Sequence, residues 1–371
     1  MARSVDALFQ PFTLNGLRLP NRIVMAPMTR WRSPGGVPGP DVAAYYRRRA
    51  ENDCGLIITE GTTVDHPVAS YSVRVPNFYG ASLPAWRKVV EEVHDAGGRI
   101  MPQLWHVGVS RHPAMDYPNR HLPSLSPSGL FLPDKKPVAP PATQAEIKAV
   151  IDAFASAART ARELGFDGVA IHGAHGYLFD QFFWASINRR DDEYGGDVAG
   201  RTRFAVETLH AIRREVGHDF PLMFRISQWK EQDYTAKLAR TPPELQQLLQ
   251  KLADAGVDAF DCSQRRYWEP EFAGSSLNLA GWAKQLTGKA SMTVGSVGLS
   301  RELITRGAES LGQHAEVANI DPLIERIEAG EFDLVAVGRA LLADPEWPRK
   351  VREQRFDELL PYTPQALESL F

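Results

Sequence analysis

The chain has 371 residues, with 42 Lys or Arg against 45 Asp or Glu and a formal net charge of −3. That balance excludes a sequence-independent nucleic-acid binder, which needs a basic face, and no apolar run reaches the ~20 residues of a membrane span. Two cysteines, Cys54 and Cys262, exclude a disulfide scaffold and a four-cysteine zinc or iron–sulfur site. The opening Met1-Ala-Arg-Ser-Val-Asp6 has no apolar core for a signal peptide, so a cytoplasmic enzyme is the expectation.

In chain order, Phe12-Thr-Leu-Asn15-Gly16-Leu-Arg-Leu19 reads as a β-hairpin, because Asn-Gly supplies the two positive-φ residues of a type I′ turn. It precedes the first strand, so residues 1–20 are expected to cap a barrel bottom. Eight short apolar strands follow: Arg22–Met25, Leu56–Glu60, Arg99–Leu104, Gly168–His172, Leu222–Ile226, Ala259–Cys262, Ser291–Val294 and Leu334–Val337. Helical stretches alternate with them, and four times a helix ends at Gly just before a strand, at Gly97, Gly165, Gly256 and Gly330. Short continuous apolar runs suit strands buried on both faces of a parallel sheet. Eight such units make an α/β fold, a (β/α)8 TIM barrel, as one domain over residues 1–371. An open doubly wound sheet would carry a G-x-G-x-x-G turn after an early strand, and none is found. Between His106 and Gln144 lie eight prolines and little periodicity. This excursion, residues 106–144, leaves the C-terminal end of the third strand, where a partial lid is expected.

Barrel chemistry gathers at the C-terminal strand ends. There stand Ala26-Pro27-Met28-Thr29-Arg30, Glu60-Gly61, Gln103-Leu-Trp105-His106, His172-Gly-Ala-His175-Gly-Tyr177, Arg225, Cys262-Ser263, Gly295-Ser296 and Gly338-Arg339. The last two pairs offer bare backbone, a hydroxyl and a guanidinium after strands seven and eight, the usual barrel cradle for a phosphate. His172 and His175 are spaced like a metal pair, but apart from Glu60 or His106 no third ligand suggests itself, and no metal is expected. The favoured reading is two imidazole donors aimed at one substrate oxygen, with Tyr177 beside them as a proton donor.

These residues resemble the old yellow enzyme family of FMN-dependent NAD(P)H oxidoreductases, or ene-reductases. The likeness runs through Asn21-Arg-Ile-Val-Met-Ala-Pro-Met-Thr-Arg30, Ile58-Thr-Glu-Gly61, Gln103-Leu-Trp-His-Val-Gly108, His172-Gly-Ala-His-Gly-Tyr-Leu-Phe-Asp-Gln-Phe182, Asn188-Arg-Arg-Asp-Asp-Glu-Tyr-Gly-Gly196 and Val337-Gly-Arg-Ala-Leu341. The resemblance implies FMN across the barrel mouth. Ala26, Pro27, Met28 and Gly61 would line its ring, Thr29 would bond the flavin O4, Gln103 would hold the pyrimidine edge, and Arg225 would sit near N1 and O2. The phosphate would rest on Gly295, Ser296, Gly338 and Arg339. It further implies ping-pong turnover: NADH or NADPH reduces the flavin, then hydride passes from N5 to an activated alkene. His172 and His175 would grip the substrate oxygen, and Tyr177 would donate the proton.

The chain departs from the family pattern at Asp197-Val-Ala-Gly-Arg201, at Arg225-Ile-Ser-Gln-Trp-Lys230 and at Arg265-Arg-Tyr-Trp-Glu-Pro270. Trp105, Tyr267 and Trp268 are expected to shape the substrate pocket. The small-molecule substrate is expected to be an enone, a nitro compound or a quinone, and monomer or homo-oligomer is left open. The alternatives are a nitroester, nitroaromatic or quinone reductase on the same flavin, a flavin-free barrel hydrolase or lyase, and a non-catalytic flavin-binding protein. Cys54 is read as core packing; Cys262, at the end of the sixth strand, is read as core packing with a place near the site as the alternative.

Overall fold

Helix–strand alternation closes the chain into a parallel barrel in the computed structural model, which describes residues 3–111, 116–131, 135–302 and 313–371. The barrel strands are Ile23–Met25, Leu56–Thr63, Ile100–Trp105, Val169–His172, Leu222–Ile226, Ala259–Ser263, Ala290–Val294 and Leu334–Val337. Each pairs in parallel with the next, and the eighth closes on the first through Val335↔Ile23 and Val337↔Met25. All four helix-ending glycines have positive φ, between 71° and 112°. The helix Gln144–Leu164 shows the local logic in full. Thr143 and Glu146 form a capping box at its start, and Gly165 (φ 89°) ends it in the left-handed region.

Two layers of core follow from the strand period of two. Outward residues such as Ile23, Ile57, Ile100, Ile171 and Phe224 pack beneath the helices. Inward residues Val24, Leu56, Ile58, Met101, Ala170, Met223, Ala259, Met292 and Leu334 fill the barrel. The expected hairpin pairs Phe12–Leu14 with Leu17–Leu19 around Asn15 (φ 42°) and Gly16 (φ 82°). Its Leu14 and Leu19, 2% and 0% exposed, join the inner cluster and plug the barrel bottom. At ~1.5–3 kcal/mol per buried leucine, this small ribbon contributes well beyond its own two-stranded pairing.

The second strand departs from expectation. It runs through Glu60 to Thr63, because a register shift between Ile58 and Gly61 lets Gly61–Thr63 pair with Gln103–Trp105. The Glu60 carboxylate accepts the Arg30 N–H at 2.8 Å, and the Glu60 N–H donates to the Tyr46 hydroxyl at 2.8 Å. Glu60 thus anchors the loop after the first strand. In the proline-rich excursion, Leu130–Phe131 pairs with Lys136–Pro137. Its positions 112–115 and 132–134, and positions 303–312 after the seventh strand, lie outside the described residues. Among the described residues no helix is long and apolar enough to cross a membrane.

Candidate active site

One pleat above the apolar plug, the inward positions turn polar. Met101 is followed by Gln103, Ala170 by His172, Met223 by Arg225 and Ala259 by Asp261. A cavity of about 660 Å³ opens there, within the usual size range of a small-molecule or cofactor site. It is lined by Ala26, Pro27, Met28, Thr29, Gln103, Trp105, His172, His175, Tyr177, Arg225, Gly295, Ser296, Gly338 and Arg339. Residues from all the strand ends singled out above, the second excepted, therefore meet in one place.

Three of the expected residues do not line it. Gly61 lies within the extended second strand, and a Cβ there would come 2.4 Å from the Trp105 ring. Its lack of a side chain makes room for Trp105 instead. Tyr267 turns away after the sixth strand: the residue is 4% exposed and belongs to the outer core. Its carbonyl accepts the Asn278 amide at 2.8 Å, and its N–H donates to the Gly295 carbonyl at 3.0 Å. Trp268 is 40% exposed on the outer surface. Both are held off the pocket by the packing of residues 265–278 over the barrel wall. Cys54 and Cys262 are buried. Burial pushes the Cys54 thiol up to about 12 and raises Cys262 as well, so both act as packing groups.

The clamp is an aromatic stack. The His172 ring lies parallel to Trp105 at 5.6 Å and 16°, and edge-on to Tyr177 at 4.9 Å. His175 stacks on Trp229 at 4.5 Å, and its Nε2 lies 2.7 Å from the Ser263 hydroxyl. Burial first, and the Arg225 charge second, push both imidazoles well below their ordinary range. They are neutral near pH 7, and each neutral ring keeps one N–H donor. The Ala174 N–H points at His172 Nδ1 from 3.4 Å, which places the ring proton on Nε2.

The loop after the fifth strand holds this arrangement. His175 has φ 64°, unusual for a residue with a side chain, and Gly176 follows at φ 85°. Ser227 Oγ accepts the His175 N–H at 2.9 Å, and the Glu231 N–H donates to the His175 carbonyl at 3.3 Å. Beneath them Lys230 Nζ and Asp180 Oδ1 form a fully buried ion pair at 2.9 Å, while Asp180 Oδ2 accepts the Gly176 N–H at 2.7 Å. The strain at His175 is thus held by a second loop through backbone bonds and a buried charge pair.

The buried polar atoms of the cavity wall that lack partners include the donors Gln103 Nε2 and Arg225 Nε. Arg225 Nη1 is paired with Asp261 at 2.8 Å, so its guanidinium is fixed in place. Orphaned donors are costly in a buried wall unless a ligand accepts from them. Carbonyl oxygens on the pyrimidine edge of a flavin match both, and the residues present fit FMN. At the opposite end, Ser296 (φ 55°) donates to the Arg265 carbonyl at 2.9 Å, and Arg339 is bonded to the Arg301 carbonyl and lies over Tyr362. Gly295 has φ 142°, and a Cβ there would come 2.5 Å from the Gln264 carbonyl oxygen. Gly295→Ala is therefore expected to destabilise the protein by ~1–3 kcal/mol and to weaken FMN retention, read by urea denaturation and by the flavin remaining after gel filtration. An unchanged midpoint would show that this turn can relax.

Sequence reasoning missed Tyr71, Phe131, Trp229, Glu231, Gln232 and Tyr362 as cavity residues. Phe131 comes from the proline-rich excursion. Tyr71 and Tyr362 sit in irregular segments far in sequence from the strand ends, and no local pattern marks them. Trp229 lies in the unusual Arg225–Lys230 stretch and Glu231 directly after it, which was the available signal. Among the described residues no cluster of three or more His, Cys, Asp or Glu side chains is placed to hold a metal.

Residues 7–358 match the family model described as NADH:flavin oxidoreductase / NADH oxidase. The chain is 35% identical over 364 residues to the putative 12-oxophytodienoate reductase 2 of Oryza sativa subsp. japonica, covering 94% of this chain and 88% of that protein. It is 42% identical over 224 residues to 12-oxophytodienoate reductase 7 of the same plant, a match spanning 57% of this chain and 56% of that protein. In structure it is similar to the Old Yellow Enzyme from Pichia sp. AKU4542, with a TM-score of 0.79 at 26% identity over 97% of this chain and 90% of that one.

Proposed function

Because the chain belongs to the NADH:flavin oxidoreductase / NADH oxidase family that includes the old yellow enzymes, we propose that it reduces carbonyl-activated C=C bonds with NAD(P)H. The observation that carries this reading is the convergence of two neutral imidazoles and one phenol on a cavity whose wall presents the unpaired Gln103 amide. FMN, when bound, supplies the exchange of hydride between the nicotinamide and the alkene.

The protein's own part is binding, charge and a proton. Gln103 and Arg225 would hold the pyrimidine edge of the cofactor, and the loops at Gly295-Ser296 and Gly338-Arg339 would hold its phosphate. His172 and His175 donate to the substrate carbonyl oxygen, where negative charge grows as the β-carbon is reduced. Such donors are worth about 3 kcal/mol each in comparable oxyanion holes. Neutral donors suit this task, because the oxygen returns to a neutral carbonyl when the product leaves. Tyr177, with its hydroxyl raised well above the usual phenol range by burial, stays protonated and gives its proton to the α-carbon.

The test is direct. Protein purified with FMN is expected to be yellow, to bleach anaerobically with NADH or NADPH, and to recover colour when an enone such as cyclohexenone is added. A colourless preparation that refuses added FMN would overturn the reading. Bleaching without recovery on enones, nitro compounds or quinones would reduce it to a flavin-binding protein.

A further inference from the structure

Among the described residues lining the cavity, Glu231 is the sole carboxylic acid. The Tyr177 hydroxyl donates to its Oε2 at 3.1 Å. Its own backbone N–H donates to the His175 carbonyl, so the acid is tied to the same loop that carries the clamp. The reaction drawn above needs no carboxyl at this place, yet it leaves Tyr177 without the proton it has given away.

The charge around Glu231 is one-sided. Lys230, next in sequence, turns its ammonium to Asp180 at 2.9 Å, and Arg225 turns its guanidinium to Asp261 at 2.8 Å. The titratable groups facing Glu231 are the phenols of Tyr177 and Tyr71, from the loops after the fourth and second strands. The neighbouring imidazoles of His172 and His175 are neutral near pH 7. With no cation among the described residues paired to it, burial pushes the Glu231 carboxyl up to about 7. A neutral carboxylic acid therefore stands within hydrogen-bond reach of Tyr177 up to about neutral pH.

We propose that Glu231 re-supplies the proton of Tyr177: its carboxyl O–H bond breaks as the Tyr177 phenolate O–H bond forms, and water returns a proton to the carboxylate. This rests on the reading of Tyr177 as the donor to carbon. No oxidation state changes in the step. The negative charge passes from phenolate to carboxylate, and one proton from solvent closes each turnover. The sign of the pH dependence follows. Below the Glu231 pKa the acid is neutral and can give a proton. Above it, the carboxylate only accepts from Tyr177, and its charge opposes formation of a phenolate 3.1 Å away.

The experiment uses the FMN-loaded enzyme reduced anaerobically, then reoxidised in rapid mixing by an enone from about pH 5 to about pH 9. A quinone, whose oxygens need no protonation at carbon, is the internal reference. The enone-to-quinone rate ratio is expected to fall about tenfold per pH unit above about pH 7. In Glu231→Gln the ratio at low pH is expected to drop by ~10–100-fold and to lose its fall through neutrality. Glu231→Asp, which keeps a carboxyl, restores part of the ratio. In a Tyr177→Phe background Glu231→Gln adds no further loss.

A second readout needs no turnover. Infrared titration of the oxidised protein should show a protonated-carboxyl band that disappears near pH 7 and is missing in Glu231→Gln. The buried Glu60, also raised to about 7, keeps its band in both. A parental ratio that is flat through neutrality, a Glu231→Gln profile like the parent's, or no missing band would overturn the proposal. If Tyr177→Phe is slow while Glu231→Gln behaves like the parent, only the relay fails. If Tyr177→Phe itself is as fast as the parent, the donor assignment fails first.

Discussion

Tyr177→Phe is expected to slow enone reduction by ~10²–10⁴-fold while NAD(P)H still bleaches the enzyme. The ring itself is held without its hydroxyl. It meets Trp105 edge-on at 4.8 Å and 85°, and His172 edge-on at 4.9 Å and 83°. Phenylalanine keeps those contacts and loses only the hydrogen bond to Glu231. The clamp histidines and the cofactor wall stay intact, so substrate still binds and the loss falls on the proton-transfer step. Separate anaerobic half-reactions measure this. A reductive rate near the parent's with a strongly slowed oxidative rate is the expected pair, and an unchanged oxidative rate would remove Tyr177 from the acid role.

The second large effect falls on stability. Lys230→Met is expected to cost ~3–5 kcal/mol, because it leaves Asp180 buried beside an apolar side chain. Both side chains are 0% exposed, and Lys230 also donates to the Gln228 carbonyl at 2.9 Å. Burial already lifts Asp180 to about 6 in spite of the lysine beside it. Removing the ammonium leaves its carboxyl neutral near pH 7, at the expense of the lost charge-assisted bonds. The Gly176 N–H anchored on Asp180 then loosens, and with it the left-handed turn at His175. Urea denaturation of Lys230→Met against the double change Lys230→Met with Asp180→Leu separates the terms. The double variant should recover part of the loss if the buried carboxyl left without its partner is the cause. A loss under ~1 kcal/mol in the single variant would mean that water reaches the pair.

The alternation of helix, positive-φ glycine and buried strand was written in the residues themselves. Each barrel strand lies within a residue or two of where its apolar run ends, except the second, which continues for three residues past Glu60. Local steric rules account for that legibility: glycine at a helix end and Asn-Gly in a hairpin act over four or five residues. The bulge in the second strand escaped because it depends on pairing with Gln103–Trp105, more than 40 residues away.

For the site the division falls along the same line. Side chains at strand ends point into the mouth by pleat parity, so Gln103, His172 and Arg225 were readable from sequence, and so was the phosphate-type pair of loops. Loop residues obey no such parity. Tyr267 and Trp268 were expected in the pocket and lie in the wall and on the surface, while Tyr71, Trp229 and Glu231 came into it from loops. The amino-acid order alone determined the barrel, its plug and the ring of polar strand ends, through periodicity and turn chemistry. Only the tertiary structure decided which loop side chains face Tyr177 and where the buried Lys230–Asp180 charge pair sits. Those contacts join segments dozens of residues apart, and packing selects them, not local preference.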